Sequence, residues 1–176
     1  MEIIDNVFDQ HFNDYLIKGL FSVSGWRICS DQFFEQSDAS FNQFSDTGHV
    51  LQTYAVGNRD PNNQTLNAYA DLILDKVLHL SKYEYTDVSV VRFFWNYYSR
   101  SSTGLEHVDL NEKTGNYASL VYYLSESDGG TIIGKEKVDN VPGRAVLFDS
   151  RIPHRGLGPT VGKQRFLLNV IFQYTD

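Results

Sequence analysis

Three side chains in this sequence have the types and the spacing of a metal site. His107 and Asp109 are separated by one residue, and His154 follows 45 residues after Asp109. On an extended strand, side chains at positions i and i+2 point to the same side, so His107 and Asp109 can reach one ion together. A second imidazole, delivered from another strand, completes the set. The pattern predicts a single metal ion bound by two histidines and one carboxylate.

The ligand types indicate which metal chemistry this site supports. Two imidazoles and one carboxylate on one face of a metal leave the opposite face open, as in non-haem Fe(II) oxygenases. The open positions receive an oxidisable cosubstrate and dioxygen. Arg165 follows His154 by 11 residues and precedes the apolar run 166–172. A cation in apolar surroundings predicts a docking point for an acidic cosubstrate.

Length, composition and charge narrow the class of protein. The chain has 176 residues, 41% hydrophobic and 21% charged, which is typical of one soluble globular domain. Its net charge of -7 argues against a nucleic-acid partner, which requires a basic surface. Cys29 is the only cysteine, no apolar stretch is long enough to span a membrane, and the amino terminus lacks a signal-peptide pattern. We therefore expect a cytoplasmic protein without disulfides or a membrane partner.

The elements that must position these residues can be predicted from periodicity. Apolar residues recur at helical spacing over residues 9–20 and 66–80, which predicts two amphipathic helices. Short strands are predicted around residues 26–29 and 49–55. Strand patterns dominate from residue 87 onwards. The remaining predicted strands cover residues 3–8, 88–98, 117–124, 131–133, 145–148 and 166–174.

Many short strands after two helices predict a mainly β fold with flanking helices. We expect a double-stranded β-helix, or jelly roll of the cupin type, with both helices packed on one sheet. A single domain is predicted over residues 1–176, with helical support from 1–86 and a catalytic jelly-roll core at about 87–176. The metal would then lie in the open mouth between the sheets. The polar stretch 99–106, just before the ligands, is placed to act as a mobile lid.

The motifs around these residues resemble those of a known family, the 2-oxoglutarate and Fe(II)-dependent dioxygenases, and within it the prolyl 4-hydroxylase-like branch. The family pattern is His-x-Asp, a distal histidine and a basic residue further along, which His107, Asp109, His154 and Arg165 match. The resemblance covers residues 88–174. It includes Tyr122-Tyr123-Leu124, Asp128-Gly129-Gly130-Thr131-Ile132, and the run 143–148 ahead of Pro153-His154.

The resemblance implies roles for these residues. His107, Asp109 and His154 would be the catalytic centre and would bind Fe(II). The distal carboxylate of 2-oxoglutarate would lie against Arg165, whose planar guanidinium group can donate two parallel hydrogen bonds. Dioxygen would be the second cosubstrate, and ascorbate is a candidate reductant.

Two tyrosines are further candidates for cosubstrate binding on the same resemblance. Tyr123 best matches a tyrosine that contacts the distal carboxylate, and Tyr97 resembles the other tyrosine of the family's active site. Tyr98 is the alternative to Tyr97, because adjacent residues on a regular strand point to opposite faces. The sequence departs from the pattern of some members at Leu167, where they carry a hydroxyl residue. The interval between His154 and Arg165 is also long.

The reaction that the resemblance implies is hydroxylation of an unactivated C–H bond, with succinate and CO2 as coproducts. The branch favours a prolyl residue in a peptide or protein, and a free amino acid or another small molecule is the alternative substrate. Trp95 and Arg151 are candidate substrate contacts, although an arginine such as Arg151 is more often solvated. The alternatives of another class are a noncatalytic jelly-roll module and a cupin-like metal protein without 2-oxoglutarate.

Overall fold

The computed structural model describes residues 1–21, 27–28, 50–56, 64–100, 102–112, 114–161 and 164–175, with the backbone alone at 27–28 and 50–56. The helices are α1 (Gln10–Phe21) and α2 (Gln64–Leu80). The strands are β1 (Glu2–Ile4), β2 (Arg27–Ile28), β3 (Val50–Val56), β4 (Thr86–Tyr98), β5 (Asn116–Tyr123), β6 (Gly130–Ile133), β7 (Glu136–Asp139), β8 (Ala145–Asp149), β9 (His154–Leu157) and β10 (Arg165–Thr175). Within these ranges, neither helix is both long and apolar enough to cross a lipid bilayer.

The strands form two antiparallel sheets. The large sheet has the order β1-β8-β5-β10-β4-β3-β2, and the small sheet has the order β7-β6-β9. The segment after β4 runs beside β9, where Thr103 pairs with Leu157 and His107 pairs with His154. Two facing antiparallel sheets, in which most neighbouring strands are not consecutive in the chain, form a jelly roll. The predicted mainly β fold is therefore confirmed.

Side-chain alternation gives the large sheet two different faces. On one face, Trp95 of β4 and Leu168 of β10 pack in the same core cluster as Leu20 of α1 and Ile73 of α2. These side chains are almost fully buried, and each contributes roughly 1.5–3 kcal/mol to folding through removal of apolar surface from water. Both helices therefore pack on the large sheet, as predicted.

The other face of the large sheet looks towards the small sheet. Here a second cluster joins Tyr123 of β5, Phe148 of β8 and Leu167 of β10 to Ile133 of β6 and Val138 of β7. Along the strands of the large sheet, these residues alternate with those of the first cluster, which faces the two helices and is called the helix-side core below. The space between the sheets is therefore lined from both layers, and it is where a site can form.

Two strands differ from the sequence expectations. The strands β7 and β9 are not predicted, because each has four residues and β7 reads Glu-Lys-Val-Asp with Val138 alone buried. The expected lid over 99–106 stays a prediction, and two of its residues are hydrogen-bonded to the chain at 156–158. Ser102 is 1% exposed, its carbonyl accepts the Gly158 N–H at 2.7 Å, and the Gly104 N–H donates to the Gly156 carbonyl at 2.9 Å. Backbone hydrogen bonds thus attach this part of the segment to β9 and to the residue after it.

Candidate metal centre

His107, Asp109 and His154 converge between the two sheets. Their ligand atoms all lie within 4.8 Å of one another. Nε2 of His154 is 3.4 Å from Oδ2 of Asp109, and Nε2 of His107 is 3.8 Å from Oδ1. Metal–ligand bonds of about 2.1 Å bring donor atoms to roughly 3 Å from each other, so one ion can contact all three after small side-chain movements.

The His-x-Asp pair does not lie on a regular strand. His107 and His154 exchange two backbone hydrogen bonds, of 3.0 and 2.8 Å, and the Asp109 N–H donates to the Ser150 carbonyl at 3.0 Å. These bonds attach the two ligands to β9 and to the turn that follows β8. The side chains point to one site, as expected, but long-range backbone pairing rather than strand alternation brings them there.

Each imidazole is oriented by a backbone carbonyl. Nδ1 of His107 lies 2.9 Å from the Leu105 oxygen, and Nδ1 of His154 lies 3.0 Å from the Ile152 oxygen. When Nδ1–H donates in this way, Nε2 keeps its lone pair for a metal. Nε2 of His154 is buried and has no hydrogen-bond partner, which fits a ligand atom. Burial and the nearby His154 imidazole lower the pKa of His107, which favours the neutral form that metals bind.

Asp109 is held by residues that the sequence patterns do not identify. The Ser119 hydroxyl donates to Oδ2 of Asp109 at 2.6 Å and lies 2.9 Å from the Ser150 hydroxyl. Nη2 of Arg92 donates to the Asp109 backbone carbonyl at 2.6 Å and lies 3.8 Å from Oδ1. Ser119 is a polar residue inside the predicted apolar strand 117–124, and that break in the pattern is the signal that identifies it. Arg92 likewise interrupts the apolar run of the predicted strand 88–98.

Arg165 lies fully buried at 0% exposure. Its Nε donates to Oδ1 of Asn140 and its Nη2 donates to Oγ1 of Thr131, both at 2.9 Å. Nη1 is buried without a hydrogen-bond partner. Among the residues that the structure describes, no carboxylate lies within ion-pair distance of this guanidinium. A buried cation without an anion is costly, so the surroundings of Arg165 fit an acidic ligand.

Tyr98 and Tyr123 lie beside Arg165, whereas Tyr97 does not. The guanidinium carbon of Arg165 is 4.5 Å from the Tyr98 ring centroid and 5.5 Å from that of Tyr123. The Tyr123 hydroxyl donates to Thr131 at 2.8 Å, and burial raises the pKa of Tyr123. Tyr97 packs on Phe166 in the helix-side core, with ring centroids 5.0 Å apart. Of the two alternatives, the structure places Tyr98 beside Arg165 and Tyr97 in the helix-side core, because in this register Tyr98 pairs with Arg165 and Tyr97 with Phe166.

A glycine on β9 makes room for Tyr98. A Cβ atom built on Gly156 would overlap the Tyr98 hydroxyl and the ring carbons beside it. Gly156 follows His154 by two residues, so this contact joins the strand of the distal histidine to the ring that covers Arg165. No other residue type fits here without displacing Tyr98.

The two candidate substrate contacts lie away from the centre. Trp95 is 1% exposed and belongs to the helix-side core, since it points to the same face as Tyr97. Arg151 is exposed at the surface, where its Nε and Nη2 donate to both carboxylate oxygens of Asp149, at 2.8 and 2.6 Å. The structure thus records no contact of either residue with the metal ligands, and burial in the helix-side core keeps Trp95 from a substrate, whereas the role of Arg151 stays a prediction.

Two histidines and a carboxylate that converge in a jelly roll match the ligand set of non-haem Fe(II) oxygenases, and the separate buried arginine fits an acidic ligand. Residues 93–173, which include the three ligand residues and Arg165, match the family model of the 2OG-Fe(II) oxygenase superfamily. The match covers just under half of the chain and agrees with the resemblance of its motifs to this superfamily. A search of curated proteins found no match to the sequence.

Solved structures share the fold at low sequence identity. A Pseudomonas putida prolyl-4-hydroxylase has a TM-score of 0.58 at 14% identity, over 99% of this chain and 92% of its own. A Trichoplax adhaerens prolyl hydroxylase, in complex with a hypoxia inducible factor peptide fragment, gives 0.62 at 15%, over 99% and 83%. HygX from Streptomyces hygroscopicus, solved with nickel and 2-oxoglutarate and also with hygromycin B, gives 0.63 at 13%, over 98% and 82%.

Proposed function

We propose that this protein is an Fe(II)- and 2-oxoglutarate-dependent dioxygenase that hydroxylates an unactivated C–H bond. His107, Asp109 and His154 would hold the iron, and Arg165 would bind the distal carboxylate of 2-oxoglutarate. The observation that carries the proposal is the presence of a three-ligand cluster together with a buried arginine that has no carboxylate partner among the described residues. A binding module without turnover has no need of both features.

The residues of the chain prepare this chemistry in three ways. The two imidazoles and the carboxylate would hold the metal, and a ligand set of this kind would leave coordination positions for ligands that exchange. Arg165, with Thr131 and the Tyr98 ring, offers an N–H donor and a positive charge to a carboxylate. Val121, Phe148 and Leu167 belong to one buried apolar cluster, and the Phe148 ring packs on His154 with centroids 4.8 Å apart, so apolar side chains border the ligand cluster. Iron and 2-oxoglutarate, when bound, supply the oxidising power, and succinate and CO2 are the coproducts.

The proposed substrate is a prolyl residue in a peptide or protein. Support comes from the sequence resemblance to the prolyl 4-hydroxylase-like branch and from the shared fold of two prolyl hydroxylases. The second candidate is a small molecule, since HygX shares the fold to the same extent and has been solved with hygromycin B bound. Trp95 is not part of this proposal, because it is buried in the helix-side core, and the role of Arg151 stays a prediction.

The test begins with metal and cosubstrate binding. Under anaerobic conditions, Fe(II) and 2-oxoglutarate added together should give a weak visible charge-transfer band, which the His154→Ala variant should lose. His79→Ala is the matched control, because His79 is exposed on α2. A wild-type protein that binds iron and shows no band on addition of 2-oxoglutarate would contradict the proposal.

Turnover then identifies the substrate. With oxygen and ascorbate present, succinate release should be measured across proline-containing peptides and free amino acids, while mass spectrometry follows the gain of one oxygen atom. A peptide oxidised at proline supports the prolyl proposal, and oxidation of a free amino acid instead supports the small-molecule alternative. Iron binding without succinate in any reaction would favour a noncatalytic module.

A further inference from the structure

Asn140 holds one edge of the Arg165 guanidinium. Asn140 lies between β7 and β8 and is 3% exposed, and its Oδ1 accepts the Nε–H of Arg165 at 2.9 Å. Its Nδ2 donates to the Ser125 carbonyl. Because both ends of the amide are engaged, its orientation is set by the network, and the oxygen must face the arginine. Asn140 therefore determines which edge of the guanidinium remains open.

The partners of Arg165 are all uncharged. Nη2 donates to Thr131, the Tyr98 ring covers the guanidinium, and Nη1 has no hydrogen-bond partner. Asp139, next to Asn140 in the sequence, is exposed and pairs with Lys137 at 3.2 Å, so it does not supply a counter-charge. The full positive charge of Arg165 is thus held in a buried position, where a charge-assisted bond to a carboxylate is strongest.

We propose that Asn140 is a specificity-determining residue for the cosubstrate and selects 2-oxo acids that carry a second carboxylate. As a neutral analogue of aspartate, it satisfies Nε without neutralising the guanidinium, so the charge stays available to the distal carboxylate. An aspartate here would accept the same hydrogen bond, form an internal ion pair and repel a second anion. This inference rests on the proposed function, since it assumes that Arg165 faces the cosubstrate.

The test compares two ligands that differ in the distal carboxylate. Isothermal titration of Mn(II)-loaded protein gives the affinities for 2-oxoglutarate and for 2-oxobutyrate, which retains the metal-chelating end but has a methyl terminus. Asn140→Asp should weaken 2-oxoglutarate binding by roughly tenfold or more and leave 2-oxobutyrate binding unchanged. Asn140→Ser, which adds no charge, should retain the preference for 2-oxoglutarate. Gln173→Glu, at an exposed position of β10, is the charge-matched control and should have no effect.

The outcomes separate the inference from the proposed function. Unchanged 2-oxoglutarate affinity in Asn140→Asp, or an equal loss for both acids, would overturn the specificity role, because equal loss indicates structural damage. The thermal unfolding midpoint of each variant, measured alongside, reports such damage directly. A wild-type protein that binds Mn(II) and neither acid would instead overturn the proposed function, and the inference with it.

Discussion

The hydroxyl of Ser119 donates a 2.6 Å hydrogen bond to Oδ2 of Asp109, which joins the large sheet to the loop that carries two of the three proposed metal ligands. Both residues are buried. The distance is typical of a hydroxyl bound to a charged carboxylate, a strong class of hydrogen bond. Since Oδ2 is engaged in this way, the bond sets the rotation of the carboxylate that faces the two imidazoles.

Ser119→Ala should therefore weaken metal binding without unfolding the protein. Loss of a residue that orients a metal ligand lowers metal affinity by about 10- to 100-fold. Mn(II) binding, followed by electron paramagnetic resonance, measures the change. Ser89→Ala is the control, since Ser89 is exposed on β4 and should leave Mn(II) affinity unchanged. Equal affinities for Ser119→Ala and the wild type would rule out this positioning role.

Replacement of two adjacent tyrosines should separate cosubstrate binding from stability. Tyr98→Leu removes the ring that packs on the Arg165 guanidinium and should raise the dissociation constant of 2-oxoglutarate, because the guanidinium loses the surface that orients it. Tyr97→Leu removes helix-side packing and should lower the free energy of unfolding while 2-oxoglutarate affinity is retained. Titration calorimetry and urea unfolding measure the two effects. If Tyr97→Leu weakened 2-oxoglutarate binding and Tyr98→Leu lowered only the free energy of unfolding, Tyr97 would be the residue that contacts the cosubstrate.

Two glycine replacements should change stability in opposite directions. Gly156→Ala places a Cβ against Tyr98 and should cost about 1–3 kcal/mol, as for other overpacked sites. Gly19 lies in α1, and no atom of the described residues comes within 4 Å of a Cβ added there, so Gly19→Ala should stabilise the protein by roughly 0.5–1 kcal/mol. Urea unfolding at constant pH measures both. A Gly156→Ala protein as stable as the wild type would mean that Tyr98 moves aside at no cost.

Alkaline pH should destabilise the fold partly through Tyr122. This hydroxyl donates to Oδ1 of Asn13 at 2.6 Å, and burial raises the pKa of Tyr122 well above its usual range. Above about pH 10 the unfolded chain loses this proton and the folded protein keeps it, so the free energy of unfolding falls as pH rises. Tyr122→Phe should be less stable at pH 8 and should show a shallower decline above pH 10 in urea unfolding. An unchanged slope would exclude Tyr122 as a source of the decline.

Local patterns were sufficient for much of the fold. Apolar spacing over 9–20 and 66–80 predicts α1 and α2 to within two residues, because both helices bury a continuous stripe on the large sheet. The expectations for strands at 26–29 and 49–55 agree with the backbone of β2 and β3. Patterns failed for β7 and β9, where four residues carry too few apolar positions and pairing with β6 holds the strand.

The candidate site was predictable only in part. The types and spacing of His107, Asp109, His154 and Arg165 indicate their chemistry, and their roles stay predictions to be tested by metal and cosubstrate binding. The choice between Tyr97 and Tyr98 depends on which face of β4 meets the small sheet. Because β4 carries aromatic residues at both odd and even positions, its sequence pattern does not show which face meets the small sheet.

The sequence by itself indicated the candidate ligand types, the candidate cation at Arg165 and the β-rich class, because these follow from side-chain chemistry and short-range periodicity. Only the tertiary structure decided that Trp95 and Tyr97 face the helices, that Ser119 and Arg92 hold Asp109, and that Asn140 accepts the Nε–H of Arg165. These relationships join residues far apart in the chain. They arise from sheet register and from the packing of one layer on another, which no local window of sequence specifies.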